Sequence, residues 1–249
     1  MTLDDFAAAP AHWLEDAGLL LFVGVVLVRR LAILQAPHLS WARPDIRQPL
    51  VLALIGGLAT VAQAPSWFGA GRVVAEGLAL FLCTRGGGRG AVLVAFGAVA
   101  LLAPASHAAQ VQPAFAAVLV DELHVLSAGM WAGGVVALAT LRPPAGWAGD
   151  EGQDMLGRFG RVAMIAFAFT ALTGLLRATE ELSAFSDLWQ TAYGMVLVAK
   201  SAGVLAMLVI AAMTWRRGAP LARTDAALAI TVIAATAVLA AFPNPPGGA

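Results

Sequence analysis

The stretch WFGAGRVVAEGLALFLCT, from Trp67 to Thr84, decides the topology. It is short for a membrane span, which needs roughly 20 mostly apolar residues to cross a hydrocarbon core of about 30 Å. It also carries Arg72 and Glu76. Counted as a span, it is the third of eight, which run from Pro10 to Leu34, Pro49 to Ala64, Trp67 to Thr84, Gly90 to Gln110, Ala116 to Leu141, Arg161 to Ala178, Thr191 to Trp215 and Thr224 to Phe242. Lys and Arg accumulate in cytoplasmic loops. Eight spans put Arg29, Arg30, Arg43, Arg47, Arg85, Arg89, Arg142, Arg158, Arg161, Arg216, Arg217 and Arg223 on one side, with only Arg72 and Arg177 on the other and Lys200 inside a span. Without residues 67–84, Arg85 and Arg89 move to an external loop or the later loops invert, and the asymmetry is lost. The expected fold is therefore all-α: a polytopic bundle of eight transmembrane helices, one integral membrane domain over residues 1–249, with both termini outside.

Composition agrees. Of 249 residues, 60% are apolar and 12% charged, against about 45–50% and about 25% in soluble domains. A mean hydropathy of +0.81 excludes an ordinary soluble enzyme. Fifteen basic and fifteen acidic residues leave no net basic field, so nucleic-acid binding driven by counterion release is excluded. The single cysteine, Cys83, cannot form an internal disulfide, a CxxC pair, a CxxCH haem attachment or a Cys-rich zinc site.

Interfacial tryptophans fit the same layout: Trp13, Trp67 and Trp189 fall at outer ends, Trp41, Trp147 and Trp215 at inner ends, and Trp131 mid-span. Asp4 and Asp5 stand where a signal peptide has its basic region, so the first segment is expected to stay in the mature protein. The longest connection, Arg142 to Arg158, is rich in Gly, Pro and acid and reads as a solvated turn. The run Arg85-Gly-Gly-Gly-Arg-Gly90 has no strand before it and reads as a tight turn rather than a phosphate loop. No nucleophile has a base at a recognisable spacing, so hydrolytic catalysis is not expected.

Ionisable groups inside a bilayer are costly and mark functional sites. By helical rise His107 lies about 27 Å from Arg89, His124 about 27 Å from Arg142 and His12 about 25 Å from Arg29. Three of the four histidines thus reach one outer layer, and His38 is left in a cytoplasmic loop. Imidazole suits copper, zinc, iron and nickel. Asp121, one turn before His124, together with Glu122, Glu15, Asp16, Tyr193 and Met195, could complete a copper site in either the Cu(I) or the Cu(II) state. The bland alternative is a set of interfacial histidines. Lys200 is expected to tie helices by pairing with Asp121, Glu122 or Asp187, and Arg72 with Glu76 at i,i+4. Gly129 and Gly133 form a GxxxG that admits another helix closely. Cys83, Met130, Met164, Met207 and Met213 could line an inward Cu(I) path, although methionines in an apolar chain are more often core packing.

Asp121 through His124 to Trp131-Ala-Gly-Gly134 resembles the D-x-x-H…W-x-G-G helix of the copper resistance protein D (CopD) family. Phe159-Gly-Arg161 through Thr173-Gly174 resembles its following span, and Thr191-Ala-Tyr-Gly194 with Leu197 and Lys200 its T-x-Y-G…L-x-x-K signature. His107-Ala108 is similar to its G-H-A element, with Ser106 in place of Gly. The resemblance covers residues 106–217. It implies a multi-pass protein of the bacterial inner membrane, termini periplasmic, that binds copper through His107 and His124 for uptake or supply, with a periplasmic copper chaperone as a possible partner. His12, Met195 and the acidic residues are added from depth, not from the family pattern. Two other functions stay open: a haem-binding redox protein using the same histidines, and a non-catalytic assembly subunit whose charged outer layer docks a periplasmic copper chaperone or an oxidase, with Gly129 and Gly133 open to a partner helix.

Overall fold

In the computed structural model, residues 3–34, 37–105, 113–181 and 186–217 are described, and among them every regular element is helical. The order is α1 (Leu3–Ile33), a 3₁₀ turn (Pro37–Leu39), α2 (Arg47–Gln63), α3 (Trp67–Thr84), α4 (Gly88–Ala100) and a second 3₁₀ turn (Ala103–Ala105). Then come α5 (Ala114–Ala128), a π-helical turn (Gly129–Gly133) that continues into α6 (Gly134–Ala139), α7 (Asp150–Glu181), α8 (Asp187–Gln190) and α9 (Ala192–Arg217). Among the described residues three helical segments are long and apolar enough to cross a membrane: Trp67–Thr84, Ala114–Ala139 and Asp150–Ala178. The decisive stretch is thus a single helix with the bounds read from sequence, its Ser66 side chain accepting from the Gly69 amide at 3.0 Å as an N-cap. The eighth expected span, Thr224 to Phe242, lies outside the described residues.

Two expectations change. The sequence predicts a fourth span running to Gln110, but α4 ends at Ala100 and gives way to the 3₁₀ turn at Ala103–Ala105, which contains Pro104. A depth for His107 counted by unbroken helical rise therefore does not hold past Ala100. The Arg142–Arg158 connection reads as a solvated turn, yet α7 begins at Asp150. Asp150 and Glu151 complement the positive end of the helix dipole, and Arg158 donates to Asp154 one turn earlier at 3.0 Å. The tight turn expected over Arg85–Gly90 is confined to residues 85–87, with Gly86 at φ +78°, a conformation that favours glycine, and Gly88–Gly90 already open α4.

α1 forms the wall between two apolar cores. Its Leu19, Phe22 and Val23 pack with Leu50, Ala53, Ala79, Ala95 and Val99 of α2–α4. Its Val25, Val28 and Ala32 pack with Trp131, Leu138, Met155, Phe159 and Met207. In lipid there is no hydrophobic drive between helices, so close van der Waals packing of small residues carries association. A Cβ on Gly56 would lie 2.2 Å from the Glu15 amide nitrogen, and one on Gly133 would lie 2.1 Å from the Leu20 carbonyl oxygen. The GxxxG is therefore a packing device, as expected, and its partner is α1 of the same chain. That occupied face is not available to an assembly partner. Large apolar side chains such as Trp67, Leu93, Phe115 and Met164 stay exposed, which suits a lipid-facing exterior.

Candidate functional site

The residues carrying the resemblance are mostly packing contacts. A Cβ on Gly134 would lie 2.4 Å from the Phe159 ring, and Trp131 meets Phe167 edge-on with ring centroids 5.0 Å apart. Thr191 caps α9, its hydroxyl accepting from the Gly194 amide at 2.9 Å, and Gly194 leaves room for the Asp187 carbonyl.

One face of α5 is different. Asp121, His124 and Ser127, spaced three apart, are all buried against α7. Arg177 donates to Asp121. Thr170 donates to Ser127 at 2.8 Å, and His124 Nδ1 lies 3.0 Å from Thr173 Oγ1. The Thr173 hydroxyl spends its proton on the Phe169 carbonyl at 2.6 Å. Its oxygen therefore accepts from His124 Nδ1–H, which puts the lone pair of a neutral imidazole on Nε2. Metal-ligating histidines are oriented in this way, one ring N–H held and the other nitrogen basic. Gly174 makes the approach possible, since a Cβ there would lie 3.2 Å from His124 Cε1.

His12 is placed elsewhere. It sits one turn before Glu15 on α1, in the field of Glu15 and Arg72. Arg72 does not pair with Glu76 as expected: its Nε donates to Glu15 Oε1 at 2.5 Å, across to α1, because Glu15 presents its carboxylate from the neighbouring helix. Met195 is 55% exposed. The pairing expected for Lys200 falls on a side chain outside the described residues, and the guanidinium on Asp121 is that of Arg177. His107 also lies outside the described residues. Among the described residues no three His, Cys, Asp or Glu side chains gather as a metal cluster. His38 bonds Asp154 at 2.9 Å near the start of α7, about 28 Å along that helix from Thr173. His38 and His124 therefore cannot share one haem.

Sequence reasoning missed Arg177, Thr170 and Thr173 as partners of this face. The signal was present as polar residues repeating every three or four positions on two successive apolar helices.

Residues 153–242 match the family model of Copper resistance protein D. The chain is also 31% identical over 161 residues, 61% of its length, to the Copper transport protein CutJ of Bacillus subtilis (strain 168), and it spans 30% of the length of that relative. No solved structure matches it. The family segment begins beyond α5, so His124 and Asp121 stand outside it, while Thr173, Gly174 and Arg177, which hold them, stand inside. Over residues 153–242 this chain is therefore similar to the copper resistance protein D family.

Proposed function

We propose that this chain is a multi-pass inner-membrane protein that binds copper at its periplasm-facing end and delivers it inward or to an acceptor, without ATP hydrolysis in this chain. The observation that carries the reading is His124, buried with its Nδ1 3.0 Å from the hydroxyl of Thr173 in the segment that matches the family. The name of the CutJ relative, a copper transport protein, supports the same cargo. His107 is the proposed second ligand. Asp121, ion-paired to Arg177, adjusts the charge of the site. Eight spans with both termini outside remain the proposed topology, and a periplasmic copper chaperone the proposed donor.

The test is metal content with an optical spectrum on the detergent-purified chain. The natural chain is expected to hold copper and His107→Ala/His124→Ala to lose it. No copper in either overturns the site, and a haem band would favour the redox reading. Thr173→Val is expected to keep the fold while weakening copper affinity about 10–100-fold, the usual effect of removing the group that orients a ligating imidazole. Titration with a competing Cu(I) chelator measures it.

A further inference from the structure

Arg72 and Glu76 stand one turn apart on α3. Arg72 is taken by Glu15. Glu76 is fully buried, and neither of its carboxyl oxygens has a hydrogen-bond partner among the described residues. Gly57 of α2 faces both acids: a Cβ there would lie 2.8 Å from Glu76 Oε2 and 3.4 Å from Glu15 Oε1. The charged and titratable groups around Glu76, among the described residues, are Glu15, Asp16 and His12 from α1 and Arg72 from α3. α2 has no ionisable residue between Arg47 and its end, and its Thr60 hydroxyl is also buried without a partner among the described residues. α4 carries Arg89 alone, at the turn end.

Two buried carboxyls therefore share one guanidinium, and the second, if ionised, would lack any compensating bond. Such a burial costs several kcal/mol, so the group takes a proton instead. We propose that Glu15, Arg72 and Glu76 form a proton-binding site in which Glu76 carries the proton and Arg72 alternates between the two carboxylates. Arg72 reaches Glu76 by side-chain rotation, since i,i+4 residues are neighbours on a helix. As it turns, the Glu76 O–H bond breaks and Glu15, losing its guanidinium, takes the proton. The pair holds one proton in both arrangements and no other reactant is consumed. The ligand is the proton itself, and the site lies on α1–α3, apart from His124 and outside residues 153–242. It stands whether or not the chain carries copper.

Infrared difference spectra of the full-length chain in lipid nanodiscs at neutral pH test this. Glu76→Gln, shaped like the protonated acid, is expected to lose one carboxylic-acid carbonyl band, and Glu76→Asp to shift that band rather than remove it. Glu15→Gln is expected to lose the band too, because Arg72 then turns to Glu76 and ionises it. Arg72→Gln leaves two acids without a counter-charge and is expected to raise the band about twofold. A spectrum unchanged by Glu76→Gln overturns the proton site. A band that survives Glu15→Gln overturns the exchange of Arg72 between the acids.

Discussion

Arg177→Leu is expected to destabilise the folded chain by about 2 kcal/mol, less than removing one partner from a fully buried ion pair, because the Arg177 side chain is 32% exposed. Asp121 is buried on α5, and Arg177 reaches it from the last turns of α7. Without the guanidinium the buried carboxylate loses its charge-assisted bond. Asp121→Leu alone is expected to cost a similar amount. The double variant should recover most of the loss, since an apolar pair of similar volume often replaces a buried ion pair at little cost. Unfolding in mixed detergent with increasing SDS, carried through as a double-mutant cycle, reads the coupling directly. Additive single effects would show that the two side chains do not act as a pair.

Gly133→Val is expected to have an effect of equal or larger size. The added side chain would meet the Leu20 carbonyl oxygen and the Leu21 Cα, backbone atoms that cannot rotate away. Overpacking a core costs typically about 1–3 kcal/mol where side chains can adjust, and here α1 itself must retreat from both cores. Loss of a monodisperse peak in detergent, or a large drop in Tm, is the expected reading. Gly157→Ala on α7 is the control, because nothing lies within 4 Å of its would-be Cβ. It is expected to be neutral or slightly stabilising, since alanine is a better helix former. Equal damage from both variants would show that close approach at Gly133 is not what matters.

The helices were legible because apolar runs of span length, broken by Arg, Pro and Gly, have few other readings. Trp67–Thr84 was fixed by charge bookkeeping around it rather than by its own composition. What the sequence hid was pairing across helices. Arg72 and Glu76 sit at ideal i,i+4 spacing, and no local rule says that a carboxylate on α1 will claim the arginine first. The same applies to Arg177, which counted as an outer-side charge and is instead the half-buried partner of Asp121. His124 was legible as a candidate from its depth and its spacing to Asp121. Its orientation was not, because Thr173 and Gly174 lie forty-nine and fifty residues further on and matter only once α5 and α7 pack together. The end of α4 was hidden because the apolar run continues past Ala100 while the backbone changes its winding; Leu101 and Leu102 are as apolar as the residues before them.

The central place of α1 has a consequence for how the chain is made. α1 leaves the ribosome before its partners, and those in the first core, α2 to α4, follow at once, so that core can close while synthesis continues. The other side of α1, around Gly24, has nothing to meet until residues 129–138 enter the membrane. Folding force on the nascent chain is therefore expected to rise twice, once after α4 and again after α6, consistent with units that assemble in the order of their synthesis. A ribosome stalled between those points leaves one finished half and a bare glycine groove in the lipid, the form in which an unfinished chain would be exposed to quality-control proteases.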